Sequence, residues 1–207
     1  MSKRLIIAPH ADDEALGCGG VIAKYPQECT VVVLSDKNDG RMAEFARAKK
    51  VLGYADHIVA PFTTGMLTID SRTVTSWLDD VIRDQRPDVL YLPTPGVHQD
   101  HIATYESGIR AARMSYTGRT CAPPTVLLYD VPSYTTALYP IPYPWSYYEV
   151  LTEDQINAKV AAISEYVSQN GGNFNPSEMV LEHAKYLGFR FGEAFIEQYA
   201  TVREVVK

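Results

Sequence analysis

The chain has 207 residues, 46% of them hydrophobic and 21% charged, with a formal net charge of −6. That length suits one domain with a substantial core, and the composition is that of a globular protein. The negative balance, without a basic stripe or a block of like charges, argues against nucleic acid or an anionic membrane as the main partner.

The apolar stretch before His10 is too short for a signal peptide, and no run is long enough to span a membrane. The three cysteines, Cys18, Cys29 and Cys121, are widely spaced and form no CxxC. They read as small buried hydrophobes in a reduced, cytoplasmic protein.

In chain order, strand-like runs alternate with helix-like ones. "RLIIA" (4–8) is a short apolar strand bounded by Pro9, and a helix is expected over 12–24. "CTVVVLS" (29–35) is β-branched, and "RMAEFARAKKVL" (41–52) is a helix with Gly53 as its stop. A short strand over 57–61 precedes a helix over 71–85, which starts at Ser71 and ends before Pro87. "DVLYLP" (88–93) and "TVLLYDV" (125–131) are further strands, on either side of a helix over 101–114. Two helices, over 153–169 and 177–199, close the chain. Continuous apolar strands separated by helices predict a Rossmann-like, doubly wound α/β fold, with a mostly parallel sheet and helices on both faces. Residues 129–148, rich in Tyr and Pro, break the rhythm. They read equally as a rigid aromatic loop over a site or as a surface loop or subunit contact.

In an open α/β sheet, ligands bind beyond the carboxyl ends of the strands, where strand order reverses. "PHADDE" (9–14) follows the first strand, and "PGVHQDH" (95–101) follows the fourth. In the common order 3-2-1-4 these strands are neighbours, so the two clusters should converge. Together they offer His10, Asp12, Asp13, His98, Asp100 and His101. Two histidines and a carboxylate suit a catalytic zinc with an open position. A spare carboxylate would take a proton from water, and a spare histidine would serve the leaving group or oxyanion. Either cluster alone reads better as solvated surface; their joint placement favours a site. A facial-triad iron oxygenase is the rival metal reading, and the helix-rich alternation argues against it. "GCGG" (17–20) is not a dinucleotide fingerprint, and its small residues instead suit close packing of the first helix on the sheet.

These residues resemble the PIG-L/LmbE-like superfamily of zinc-dependent N-acetylglucosaminyl deacetylases. "PHADDE" is similar to its (A)HPDDE motif with Ala11 in place of proline, and His98-Gln99-Asp100-His101 matches its HxDH. "RMAEFARAKKVLG" (41–53), "RPDVLYLP" (86–93), "KVAAISEYVSQ" (159–169) and "GEAF" (192–195) resemble further family segments in order. The resemblance implies zinc, one per chain or another divalent metal in its place, held by His10, Asp13 and His101. Asp12 would be the general base. His98 would stabilise the oxyanion or protonate the amine, and Asp100 would orient a histidine. Arg41 falls where the family contacts substrate, though a solvated helix-end cation is a comparable reading. Glu14 belongs to the motif and is expected to support it. Gly96 stands where the family usually has a tyrosine, for which one from 134–148 is a candidate substitute. The implied reaction is hydrolysis of the N-acetyl amide of an N-acetylglucosamine-type conjugate, with release of acetate. The alternatives are hydrolysis of another N-acyl small molecule, or a catalytically inactive sugar-binding protein. Homo-oligomers are common in the family, and 129–148 is a candidate interface.

Overall fold

The computed structural model describes residues 2–35, 39–114, 121–131, 143–169 and 175–206. In chain order the elements are β1 (Arg4–Ala8), α1 (Asp13–Lys24), β2 (Cys29–Val33), α2 (Asp39–Leu52), β3 (Asp56–Val59), α3 (Ser71–Gln85) and β4 (Val89–Pro93). They continue with α4 (Gln99–Ala111), β5 (Thr125–Tyr129), β6 (Trp145–Leu151), α5 (Glu153–Ser164), α6 (Pro176–Phe191) and β7 (Phe195–Arg203). The strands form one seven-stranded sheet in the order β3-β2-β1-β4-β5-β7-β6. The first five strands of that order are parallel, and β7 runs antiparallel to both β5 and β6. The doubly wound, mostly parallel fold read from the sequence is therefore present.

Both faces of the sheet are covered. In β1, Ile6 packs with Val21 and Ile22 of α1 and Phe45 of α2 on one side. Leu5 and Ile7 pack with Val74, Leu78 and Ile82 of α3 on the other. Those α3 residues recur every fourth position and form one apolar stripe. The helix ends at Arg86, which is left-handed at φ 48, just before Pro87. At the start of α5, Thr152 and Gln155 form a capping box.

The "GCGG" stretch does what its small residues suggest. A Cβ on Gly17 would lie 2.1 Å from Tyr129 Cδ2, one on Gly19 2.7 Å from Lys159 Cγ, and one on Gly20 2.3 Å from Leu151 Cδ1. The absent side chains bring α1 down onto β5, β6 and α5. A buried ion pair, Lys159 Nζ to Glu197 at 2.5 Å, lies beneath it. Glu197 also accepts the Gly20 and Val21 amides at 3.0 and 2.8 Å.

Three expectations need correction. The helix over 153–169 ends at Ser164, and a separate 3-10 turn follows at Val167–Gln169. The closing helix over 177–199 stops at Phe191, because Gly192 takes a left-handed φ of 77 and caps it. Residues 195–203 form β7, whose aromatic and β-branched side chains pair across to β5 and β6. The aromatic segment 129–148 is not wholly a loop, since Trp145 begins the edge strand β6. Residues 132–142, which hold most of it, lie outside the described residues. Cys18 and Cys29 are buried as expected, whereas Cys121 is only partly so.

Candidate metal centre

β1 and β4 are hydrogen-bonded neighbours, with Arg4 opposite Val89. Their carboxyl ends therefore deliver both polar clusters to one place. After β1, Pro9 is pinned by Ser35, whose amide and hydroxyl reach its carbonyl at 3.0 and 2.9 Å. After β4, Gly96 takes φ 53. That conformation suits glycine and gives a physical reason for it at the position where the family usually has a tyrosine. The second cluster is not a free loop: α4 begins at Gln99, two residues earlier than expected. His98 is its cap, and Nδ1 accepts the Asp100 amide at 3.2 Å.

The six candidate residues converge. The rings of His10, His98 and His101 lie with centroids 4.9 to 5.6 Å apart, and one nitrogen from each falls within 4.8 Å of the other two. Asp13 Oδ2 stands 3.3 Å from His10 Nδ1 and 3.3 Å from His101 Nε2. Charge-assisted hydrogen bonds are shorter, about 2.7–2.9 Å. Donors on a tetrahedral zinc, each about 2.0–2.1 Å from the ion, lie about 3.3–3.4 Å apart. The spacing thus fits ligands arranged around a cation better than direct ion pairs. The two possible donor sets share His10 and His101 and differ in Asp13 or His98. The Asp13 contacts are tighter than the outer limit of the three-histidine set, and His98 is more exposed than either other histidine.

Asp100 lies behind this cluster. Its Oδ2 takes His10 Nε2 at 3.0 Å and the Gly65 amide at 2.6 Å. A ligand histidine that rests its second nitrogen on a carboxylate is the usual way to fix its ring and tautomer. Asp100 Oδ1 is buried with no hydrogen bond among the described residues. Gln99 fastens the Gly65 turn further, reaching its carbonyl at 2.9 Å.

Burial and mutual charge shift several groups of the cluster. Burial disfavours the charged His10, yet its hydrogen bonds to Asp100 and Asp13 outweigh this and push it up to about 10. Burial would raise Asp13, but the charges and hydrogen bonds of His101 and His10 hold it well below the usual carboxylate range. Burial and the adjacent Asp13 charge push Asp12 well up, against the opposing charge of Arg41. Arg41, in the first turn of α2, is thus near enough to act on Asp12. Burial and the neighbouring imidazoles lower His98. A metal requires neutral imidazoles, so binding would displace the His10 proton.

Asp12 has an unusual backbone, with φ 126 and ψ −33 at the N-cap of α1. For a non-glycine residue such strain costs on the order of 1–3 kcal/mol. Its carboxylate makes no capping hydrogen bond, so it is not spent on the helix. Sequence reasoning missed the residues that support this arrangement: Tyr166, whose hydroxyl donates to Glu14 Oε1, and Gly65. Tyr166 gave no separate signal, although it lies inside the family-like 159–169 segment. Of the candidate substitute tyrosines, Tyr147 and Tyr148 have hydroxyls committed to Glu149 and the Trp145 carbonyl.

A doubly wound α/β protein with a histidine cluster able to hold a metal at its switch point is the class that fold and site define. Residues 5–112 match the sequence profile of PIG-L, GlcNAc-PI de-N-acetylase, and the chain belongs to that family. It is 28% identical over 179 residues to the uncharacterized deacetylase YaiS of Escherichia coli K12, covering 79% of this chain and 90% of that one. Its fold is that of N,N'-diacetylchitobiose deacetylase from Pyrococcus horikoshii: TM-score 0.76, 20% identity, with 97% of this chain and 84% of the other covered. It is equally that of GalB, the 4-carboxy-2-hydroxymuconate hydratase of Pseudomonas putida KT2440: TM-score 0.73, 19% identity, with 100% and 98% covered. The fold therefore serves more than one chemistry.

Proposed function

We propose that this chain is a zinc-dependent hydrolase that removes the N-acetyl group from an N-acetylglucosamine-type conjugate and releases acetate. The observation that carries this is Asp13 Oδ2 standing 3.3 Å from nitrogens of both His10 and His101. Membership of a family described as a de-N-acetylase supports the reaction. His10, Asp13 and His101 would hold the metal, which when bound would supply Lewis acidity and a water of lowered pKa.

The chain's own groups would do the rest. Asp12 accepts the proton of the water that adds to the amide carbonyl carbon. Its carboxylate is not engaged in capping α1, which leaves it available for that task. His98, capped on α4 and the most exposed of the three histidines, faces the developing oxyanion or protonates the amine as the C–N bond breaks. Asp100 holds the His10 ring. Arg41 contacts the sugar conjugate.

The test is acetate release from a panel of N-acetylglucosamine conjugates, with zinc content measured on the same sample before and after chelation. Release that is lost on chelation and restored by zinc supports the reading. Zinc without release from any sugar, but with cleavage of other N-acyl compounds, shifts the substrate class. Binding without cleavage indicates a sugar-binding protein. A second reading, water addition to an unsaturated acid, is the chemistry named for the Pseudomonas hydratase that shares the fold. It predicts loss of the conjugated absorbance of such an acid and no acetate.

A further inference from the structure

We propose that Glu14, held by Tyr166, is the positioning residue that keeps the Asp12 carboxylate in its working direction; this rests on the deacetylase reading above. Glu14 is fully buried at 0% exposure, and Tyr166 is 1% exposed. Glu14 Oε2 accepts the backbone amide of Asp12 at 3.0 Å, and Oε1 accepts the Tyr166 hydroxyl. Both carboxylate oxygens are therefore used, one on the strained peptide and one on an anchor.

The anchor is itself fixed. Tyr166 lies just past α5, and the residues beside it are stitched to α2. Ser168 donates its amide and hydroxyl to Glu44 at 2.8 and 2.6 Å, and Arg47 Nε reaches Glu165 at 2.8 Å. Glu14 thus ties the Asp12 peptide to two helices that carry none of the proposed metal ligands.

The arrangement separates two tasks in adjacent residues. Asp13 is located by His10 and His101, through its own side chain. Asp12 is located through its backbone, at a φ of 126 that the chain would not hold unaided. If the Glu14 bond is removed, the peptide can relax toward an ordinary φ. The Asp12 carboxylate then swings, while the contacts among Asp13, His10 and His101 remain. A purely structural role for Glu14 predicts something different: loss of fold or of metal together with activity.

The experiment uses Glu14→Ala, Glu14→Gln and Tyr166→Phe in the full chain, with acetate release, zinc content and amide NMR read on each. In Glu14→Ala, kcat should fall about 100-fold, the cost of misplacing a reacting group by about 1 Å. KM should stay within about threefold and zinc content should be unchanged. Tyr166→Phe, which removes one hydroxyl, should lose about tenfold in kcat, as expected for one hydrogen bond. Glu14→Gln should recover to within about threefold, since its amide oxygen can accept the Asp12 N–H while its NH2 donates to the Tyr166 oxygen. In metal-free protein, the Asp12 amide should exchange with solvent at least about tenfold faster in Glu14→Ala than in wild type or Glu14→Gln.

The proposal is overturned if Glu14→Ala keeps its kcat, if it loses zinc in step with kcat, or if Glu14→Gln is no better than Glu14→Ala. Should Glu14→Ala fail to fold, an unchanged kcat in Tyr166→Phe overturns it. If the wild type releases no acetate, the deacetylase reading fails instead, and the Asp12 exchange rates judge the Glu14 anchor on their own.

Discussion

His10 and Asp100, ninety positions apart, meet through one buried hydrogen bond, Nε2 to Oδ2 at 3.0 Å. That bond turns Nδ1 toward Asp13 and orients the ring proposed to hold the metal, from the first turn of a helix that is not its own. Asp100→Ala should weaken zinc binding about 10- to 100-fold, the usual cost of losing a carboxylate behind a ligand histidine. Competition against a chelator measures it. Wild-type affinity in the variant would show that the His10 ring is held by something else.

Asp12 exchanges stability for geometry. Asp12→Gly removes the strain at φ 126 and the repulsion from Asp13. The metal-free variant should be more stable by about 1–2 kcal/mol in urea, within the range for a strained backbone. Its acetate release should fall at least about 100-fold, the smaller end of what a general base contributes. A variant that is both less stable and still active would refute both assignments.

The close approach of α1 predicts an unusual sign. Alanine in place of glycine inside a helix ordinarily stabilises by about 1 kcal/mol. At Gly17 the new Cβ would stand 2.1 Å from Tyr129, whose hydroxyl is tied to the Ile7 carbonyl at 2.9 Å. Overpacking costs about 1–3 kcal/mol and should win. Gly17→Ala should therefore lower the melting temperature, and a rise would mean that α1 can lift from the sheet without cost.

Asp130, which is none of the proposed metal ligands, gives a pH signature of its own. It is 7% exposed, and burial pushes its carboxyl up to about 7 against the opposing charge of Lys159. The native state then keeps a proton that the unfolded chain releases near pH 4. Its contribution to stability falls as pH rises from about 4 to 7 and levels off above. Asp130→Asn should flatten that slope and be the more stable protein at pH 8, by on the order of 1–3 kcal/mol. Urea unfolding at pH 5 and pH 8 decides it: a gain that is equal at both would rule out this titration.

The five parallel strands and the two converging clusters were legible because their signals are local: continuous apolar runs, Gly and Pro stops, and polar residues at strand ends. β7 was not, because its "FIEQYATVR" follows a helical pattern with Gly192 as the one stop signal before it, and the deciding fact is tertiary pairing with β5 and β6. β6 was hidden by the prolines just before it. In the site, side chains with recognisable chemistry were found. The contributions of Gly65 and of the Asp12 peptide were not, since backbone groups look alike in every sequence.

The glycines of α1 also bear on how such a protein diversifies. With α1 seated directly on Tyr129, Lys159 and Leu151, the floor beneath Asp12 and Asp13 has no slack to redesign. Change is cheaper on the rim, where Met66 and Ile69 follow the clamped Gly65 turn, Val97 precedes His98, and all three are exposed. New substrates would be acquired by altering that rim over an unaltered floor.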